Sequence, residues 1–439
     1  MDSTRATFQV QHGAASDRSD HCALFCLPYA GGDSLAYWRW TETFPGSVRV
    51  RMVQLPARDA RHAEPGGIVV SELAAQIAPH VSQPYALYGH SMGARLAFEI
   101  VRDRQRAGLP LPVRLYVGAA HPPHLPEPIA RLARLSEEQF LDQLILRAGT
   151  PSVVRDDADV RAAVMPALRV DLHWLKQYRY RPDGPLPVPI VAFAGFDDRE
   201  VPRDLMLGWA RHTSAGFRLH TLVGDHLFLA TAGDTVAAMI SADLGAVTDG
   251  GSDTVASPAP DELHVWRFAL NGPSAPTSTV DSKPAGDVPG GTAQDQPDAV
   301  RRLLGRYRVD PPSRDAPDLR WAVSRSAGTA IVVVAREAVA LHVEAVRPVP
   351  DLDAFCERAL EPAERAEVLA EPEELQLREA LRRWSAKEAV RKAQIAAGDR
   401  CGPHGWWVTH LDLDGAVAAV ATPGGPWRLR FQTLVGNGQ

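Results

Sequence analysis

Short apolar runs separated by longer amphipathic stretches mark the first half of the chain. The runs are Ala23–Leu27, Val48–Leu55, Tyr85–Tyr88, Arg114–Gly118, Pro189–Ala194 and Phe217–Leu222. A strand covered on both faces has no polar side to alternate with, so runs like these, spaced by helical stretches, predict βαβ units and a mostly parallel sheet. The pattern stops at residues 245–261, GAVTDGGSDTVASPAPD, where Gly, Ser, Pro and Asp leave almost nothing to bury. That composition predicts a flexible linker over 246–261 and a domain boundary. Residues 271–298 hold five prolines, one lysine, no arginine and no aromatic. They too cannot support a core and are expected to be disordered, interrupting a second domain over 262–439. In that domain the helix-like VRRLLGRY (300–307), the apolar TAIVVVA (329–335), acidic helical stretches through 361–382 and strand-like pairs at 406–420 and 427–434 follow one another. Strands, then helices, then strands predict an α+β fold for this half.

Composition narrows the reading. A chain of 439 residues exceeds one ordinary domain at roughly 150 residues each, and two are expected. Apolar residues at 45% and charged residues at 23% allow each half a core. A net charge of −6 without any Lys/Arg block argues against a nucleic-acid partner or a membrane surface. Residues 1–21 are polar and mixed in charge, lack the apolar segment of a secretory signal, and are expected to form a flexible tail. No run of about 18 apolar residues occurs. The cysteines, at 22, 26, 356 and 401, match neither a disulfide framework nor a CxxC metal site, so a reduced, cytoplasmic protein is expected.

Chemistry enters at YALYGHSMG (85–93), a G-x-S-x-G pattern directly after an apolar run and before the helical GARLAFEIVRDRQRAG. The pattern alone is weak, since with this glycine content a chance match somewhere in the chain has a probability of roughly one in ten. Its context is that of a nucleophile elbow, in which a strand turns sharply into a helix with Ser91 at the tip and small residues on either side. A serine hydroxyl is a poor nucleophile near neutral pH and needs a base oriented by a carboxylate. The partners are expected in the order Ser, Asp, His, each just after a strand. PIVAFAGFDD ends one run at Asp197 and Asp198, and FRLHTLVGDHLFL ends the next at His226. Any of these residues alone is more often structural, and fifteen histidines make one histidine cheap to find. Their joint order and context point to Ser91, Asp198 and His226 as a catalytic set, with Asp197 as the competing carboxylate. The oxyanion donors are expected to be the backbone N–H groups of Met92, after the nucleophile, and of Ala30, in the PYAGG loop (28–32).

With these residues in hand, a resemblance becomes specific. LFCLPYAGG (24–32), YWRW (37–40), VQLPARDAR (53–61), YGHSMGARLAFE (88–99), QYRYRP (177–182) and GDHLFL (224–229), in that order, resemble type II thioesterases, the editing enzymes of polyketide and nonribosomal peptide synthesis. Tyr29, Ala57 and Arg199 depart from that pattern without removing a group the mechanism needs. The resemblance implies an α/β-hydrolase over 22–245 with a helical lid at about 125–185. It implies hydrolysis of acyl or aminoacyl thioesters from the phosphopantetheine arm of a carrier protein, with no cofactor. In LSEEQFLDQLILRAG (135–149), Leu135, Phe140, Leu144 and Ile145 stand near helical spacing and are expected to face either the acyl chamber or the core.

In the second half LHVWRFAL (263–270), LHVEAVRP (341–348) and WSAKEAVRKA (384–393) together resemble Sfp-type phosphopantetheinyl transferases. The family's magnesium ligands would fall on His342, Glu344 and Glu388, and its lysine on Lys392. His342 stands where an aspartate is expected, and AVSRS (322–326) carries Arg325 in place of a histidine. The set is therefore read as vestigial, with Mg²⁺ and coenzyme A needed only if the domain is active. By themselves the residues KEAVRK describe an exposed charged helix. Three readings stay open: a hydrolase with a non-catalytic carrier-binding module, a bifunctional hydrolase and transferase, and a scaffold without catalysis.

Overall fold

The computed structural model of the chain describes residues 22–44, 47–55, 69–80, 84–126, 128, 135–148, 150–248, 258–269, 303, 307, 319–326, 329–397 and 405–434. The expected tail, the segment 271–298 and most of the linker lie outside the described residues. The chain divides into two compact units, 1–251 and 252–439.

The first unit is built on strands β1 (Cys22–Leu27), β2 (Val48–Met52), β3 (Tyr85–His90), β4 (Arg114–Gly118), β5 (Ile190–Gly195) and β6 (Phe217–Leu222). They pair in parallel in the order β2-β1-β3-β4-β5-β6. The inner strands β1, β3 and β5 are buried throughout, whereas β2, VRVRM, alternates buried Val and half-buried Arg. That difference is the signature of strands covered on both faces beside one at an edge. One large core gathers Leu24, Tyr37, Trp40, Tyr88, Phe193, Phe228 and Ile240. The free thiols of Cys22 and Cys26 are buried in β1, and burial pushes the Cys22 thiol up to about 11, which leaves both inert.

The strand order places the chemistry. β1 pairs with β2 on one side and β3 on the other, so the connections leaving the carboxyl ends of β1 and β3 diverge and open a crevice at that switch point. Leu27, the last residue of β1, stands opposite Gly89. The PYAGG loop and the elbow at Ser91 therefore begin side by side.

The segment expected as a lid holds the helices Glu137–Ala148, Val153–Asp156 and Ala158–Gln177. Their shared cluster is Phe140, Leu141, Leu144, Val154, Met165 and Leu168, with Ala30 packed against it. Two expectations need correction. Leu135 is exposed because it precedes the first helical turn at Glu137, and Leu141 takes a place in the cluster instead. The helix Leu229–Thr248 also runs past Gly245 into the stretch read as linker, since Ala246 and Val247 continue it before the Asp-Gly-Gly sequence.

In the second unit, β13 (Arg428–Leu434) lies parallel to β7 (Glu262–Ala269), which pairs antiparallel with β9 (Thr329–Ala335), itself antiparallel to β8 (Arg320–Ser326). A separate antiparallel sheet runs β10-β12-β11 over Ala340–Ala345, Ala416–Pro423 and Trp406–Leu413. Small residues let the helix Glu373–Ala397 close on that sheet, with Ala389 and Ala393 against Ala340, Ala419 and Ala421. The Ser324 and Ser326 hydroxyls accept from the Val343 and Ala345 amides, fastening β8 to β10. This half is α+β.

Candidate active site

Ser91 occupies the turn between β3 and the helix Met92–Arg106, at φ 53° and ψ −117°, a backbone conformation costly for a residue with a Cβ. Its amide donates to the Gly118 carbonyl at 2.7 Å. The turn closes only because its neighbours are small. A Cβ on Gly89 would meet the Gly93 carbonyl oxygen at 2.1 Å, and one on Gly93 would meet the Leu27 carbonyl oxygen at 2.3 Å.

His226 stands between β6 and the helix Leu229–Thr248, and Asp198 follows β5. Gly195 lets these two loops touch, since a Cβ there would lie 2.4 Å from the Asp225 carbonyl oxygen, and the Asp197 amide donates to the Gly224 carbonyl at 2.9 Å. The His226 ring bridges the set: Nδ1 lies 3.0 Å from Asp198 Oδ2, and Nε2 lies 3.0 Å from Ser91 Oγ. Beside a carboxylate that can only accept, the proton sits on Nδ1, which leaves the Nε2 lone pair for the serine hydroxyl. Asp198 Oδ1 accepts from the amides of Glu200 and Val201, each at 2.8 Å, so the carboxylate is oriented by its own loop. Its side chain is fully buried. Asp197 is exposed, and among the two neighbours Asp198 is the one that reaches the imidazole.

His90 and Tyr88 went unnoticed in the sequence, although they stand in the motif itself. His90 is fully buried, and its Nε2–H donates to the His226 backbone carbonyl at 2.6 Å, while its Nδ1 accepts from the Tyr88 hydroxyl at 3.2 Å. Burial pushes His90 down to about 3, helped by repulsion from His226, so the ring stays neutral as a brace. His121, held near 4 chiefly by burial, donates in the same way to the Glu200 carbonyl at 3.1 Å. Only the fold could reveal these partners, because each bridges loops some 80 to 136 residues apart in sequence.

Ala30 lies in the turn that follows β1, and Met92 opens the helix after the nucleophile. The QYRYRP segment fastens the end of the lid to that helix: the Tyr178 hydroxyl donates to Glu99 Oε1 at 2.9 Å, and Arg102 bonds both Glu99 and the Arg181 carbonyl.

In the second unit His342 and Glu344 project from the same face of β10 toward the helix carrying Glu388 and Lys392. His342 Nε2 sits 3.3 Å from Glu344 Oε1. Glu388 is held by Arg391, with contacts of 2.6 to 3.2 Å, and Lys392 donates to the Leu341 carbonyl at 3.3 Å. Burial works to raise the Glu388 carboxyl, but Arg391 together with His342 and Lys392 more than offsets it and keeps it below its usual value. Mg²⁺ takes hard oxygen donors in octahedral geometry, and here one donor is an imidazole and one carboxylate is already neutralised. Among the described residues, no three or more His, Cys, Asp or Glu side chains are arranged to hold a metal ion. The residues present do not fit a magnesium site. Among the described residues, too, no helix is long and apolar enough to cross a membrane.

Comparison with known proteins bears on both units. Residues 23–244 match the family model described as thioesterase domain, and residues 338–433 match that of the 4'-phosphopantetheinyl transferase superfamily. The gramicidin S biosynthesis protein GrsT of Aneurinibacillus migulanus is 36% identical over 210 residues, covering 47% of this chain and 82% of its own. Thioesterase PikA5 of Streptomyces venezuelae is 36% identical over 213 residues, covering 47% of this chain and 75% of its own. The solved structure of the type II thioesterase BorB from the borrelidin biosynthetic cluster aligns over 52% of this chain and 94% of its own, at 35% identity and a TM-score of 0.45.

Proposed function

This chain belongs to the thioesterase domain family, and from that premise we propose that it hydrolyses acyl or aminoacyl thioesters held on the phosphopantetheine arm of a carrier protein, in polyketide or nonribosomal peptide synthesis. The observation that carries the proposal is the His226 ring, 3.0 Å from both Ser91 Oγ and Asp198 Oδ2 within the matched region.

In this reading Ser91 Oγ attacks the thioester carbonyl as His226 Nε2 takes its proton, and Asp198 stabilises the imidazolium. The backbone N–H groups of Met92 and Ala30 bind the negative oxygen of the tetrahedral intermediate. The C–S bond breaks as His226 returns the proton to the departing phosphopantetheine thiol. Water, deprotonated by the same imidazole, then attacks acyl-Ser91; the bond from the acyl carbon to Ser91 Oγ breaks, the imidazolium returns its proton to that oxygen, and the carboxylic acid is released. No metal or cofactor is required in these steps. The braced, neutral His90 holds the His226 backbone without competing for its proton.

For residues 262–439 we propose a carrier-binding role without transferase chemistry. The superfamily match over 338–433 favours recognition of a carrier protein, whereas the occupied acids and His342 oppose metal-dependent transfer. The test has two arms. Purified protein and Ser91→Ala are offered acyl-loaded carrier protein, and release of the free acid by the parent alone is the expected result; equal release by both would overturn the triad. Apo-carrier protein is then incubated with coenzyme A, Mg²⁺ and this chain and weighed by mass spectrometry. An unchanged mass is expected, and a phosphopantetheine-sized gain would establish the bifunctional reading instead.

A further inference from the structure

The loop that supplies the Ala30 amide is a tight turn. The Gly32 amide donates to the Tyr29 carbonyl at 3.0 Å, and Gly31 has φ +75°, the geometry of a type II turn with Ala30 and Gly31 at its centre. Because a trans peptide is planar, directing the Tyr29 carbonyl toward Gly32 points the Ala30 N–H the opposite way. One peptide unit remains to be held, the Ala30–Gly31 unit, whose reversal converts a type II turn into type I.

That unit is held from outside the loop. The Gly31 amide donates to Asp171 Oδ2 at 2.8 Å. Asp171 is fully buried and sits on the helix Ala158–Gln177, 140 residues away in sequence. Leu168, one turn earlier on that helix, packs on the same glycine: a Cβ at Gly31 would lie 3.2 Å from its Cδ1. Ala30 itself rests against the cluster that Leu168 shares with Phe140 and Met165. Reversal of the central peptide would turn the Ala30 carbonyl oxygen toward the Asp171 carboxylate, where two acceptors repel.

We propose that Asp171 is a positioning residue for the oxyanion hole: by gripping the Gly31 amide it fixes where the Pro28–Gly32 turn sits, and so where the Ala30 N–H, already oriented by the Tyr29–Gly32 bond, meets the reacting carbonyl when the helix Ala158–Gln177 is seated. The inference rests on the thioesterase reading above and deepens it: the helix that packs over the site also arms it. Losing one oxyanion donor costs roughly 10²- to 10³-fold in kcat, and misplacing one costs less.

Asp171→Leu keeps the volume and removes the acceptor. It is expected to lower kcat by about 10- to 100-fold with KM within about twofold. Asp171→Asn, whose amide oxygen still accepts from Gly31, is expected to retain most of kcat. Independently of turnover, the Gly31 amide proton resonance is expected to move upfield in Asp171→Asn, because a neutral acceptor bonds more weakly than a carboxylate. That second measurement decides the question if Asp171→Leu does not fold. A folded Asp171→Leu with kcat within twofold of the parent, a loss residing in KM, or a Gly31 resonance indifferent to Asp171→Asn overturns the proposal. A parent protein inert toward every thioester overturns the hydrolase reading and this one with it, whereas an active parent with an indifferent Asp171 overturns only this one.

Discussion

The elbow of β3 in the first unit and the helix-facing side of β10 in the second each gather imidazole and carboxylate groups around a helix. In the first, the groups form a directed chain: Ser91 to His226, His226 to Asp198, Asp198 to the amides of Glu200 and Val201. In the second they close on near neighbours. Glu344 meets His342 two residues earlier on the strand, and Glu388 meets Arg391 one helical turn later. A pair at i,i+2 on a strand or i,i+3 on a helix forms wherever the residue types allow, without help from the rest of the fold. Contacts spanning 28 and 135 residues, like those of His226, exist only because the sheet brings three strand ends together. Reach across the fold separates the constellation proposed to react from one made of local pairs.

The comparison can be broken most sharply at His226. His226→Ala is expected to lower kcat by about 10⁴-fold or more, as Ser91→Ala does, and the double variant to be no slower than either single one. Rates that multiply in the double variant would show that the two residues do not act as one unit. Next, Asp198→Asn is expected to cost about 10³-fold or more and Asp197→Asn less than about twofold, measured as kcat/KM on the same thioester. The reverse order would move the carboxylate role to Asp197.

A smaller effect concerns pH. Burial holds folded His90 and His212 at about 3 and His121 and His410 at about 4, against about 6.5 for an exposed histidine. Each folded value is depressed, so the unfolded chain binds protons that the folded chain does not as pH falls below about 6.5. The stability these neutral rings contribute is complete above that pH and is lost progressively as pH falls through the window toward 3 or 4. Melting temperature is expected to drop between pH 7 and pH 4, and more gently in His90→Asn, which can still donate to the His226 carbonyl. An unchanged slope in that variant would show that His90 contributes nothing to the acid loss.

The smallest expected effect is none. Millimolar Mg²⁺ should leave the melting profile of the protein unchanged, because the β10 face lacks converging oxygens. The double variant His342→Asp with Arg391→Ala restores a carboxylate and frees Glu388, and it is expected to gain an Mg²⁺-dependent rise in melting temperature. A rise already present in the parent would contradict the misfit.

The apolar runs of β1, β3 and β5 were enough to foresee a parallel sheet, because strands buried on both faces announce themselves without tertiary information. The elbow was legible for a similar reason: Gly89 and Gly93 are local necessities of a turn that Ser91 must make. Leu135 misled, since helical spacing does not say where a helix begins. What the sequence by itself determined is what adjacent residues impose on one another: strand, turn, helix, and the order Ser, Asp, His. Which of Asp197 and Asp198 meets the imidazole, that His90 braces His226, and that Asp171 holds Gly31 were decided by tertiary structure alone. Hydrogen bonds depend on direction and on distances of about 3 Å, and only the packed chain sets those for groups far apart along it.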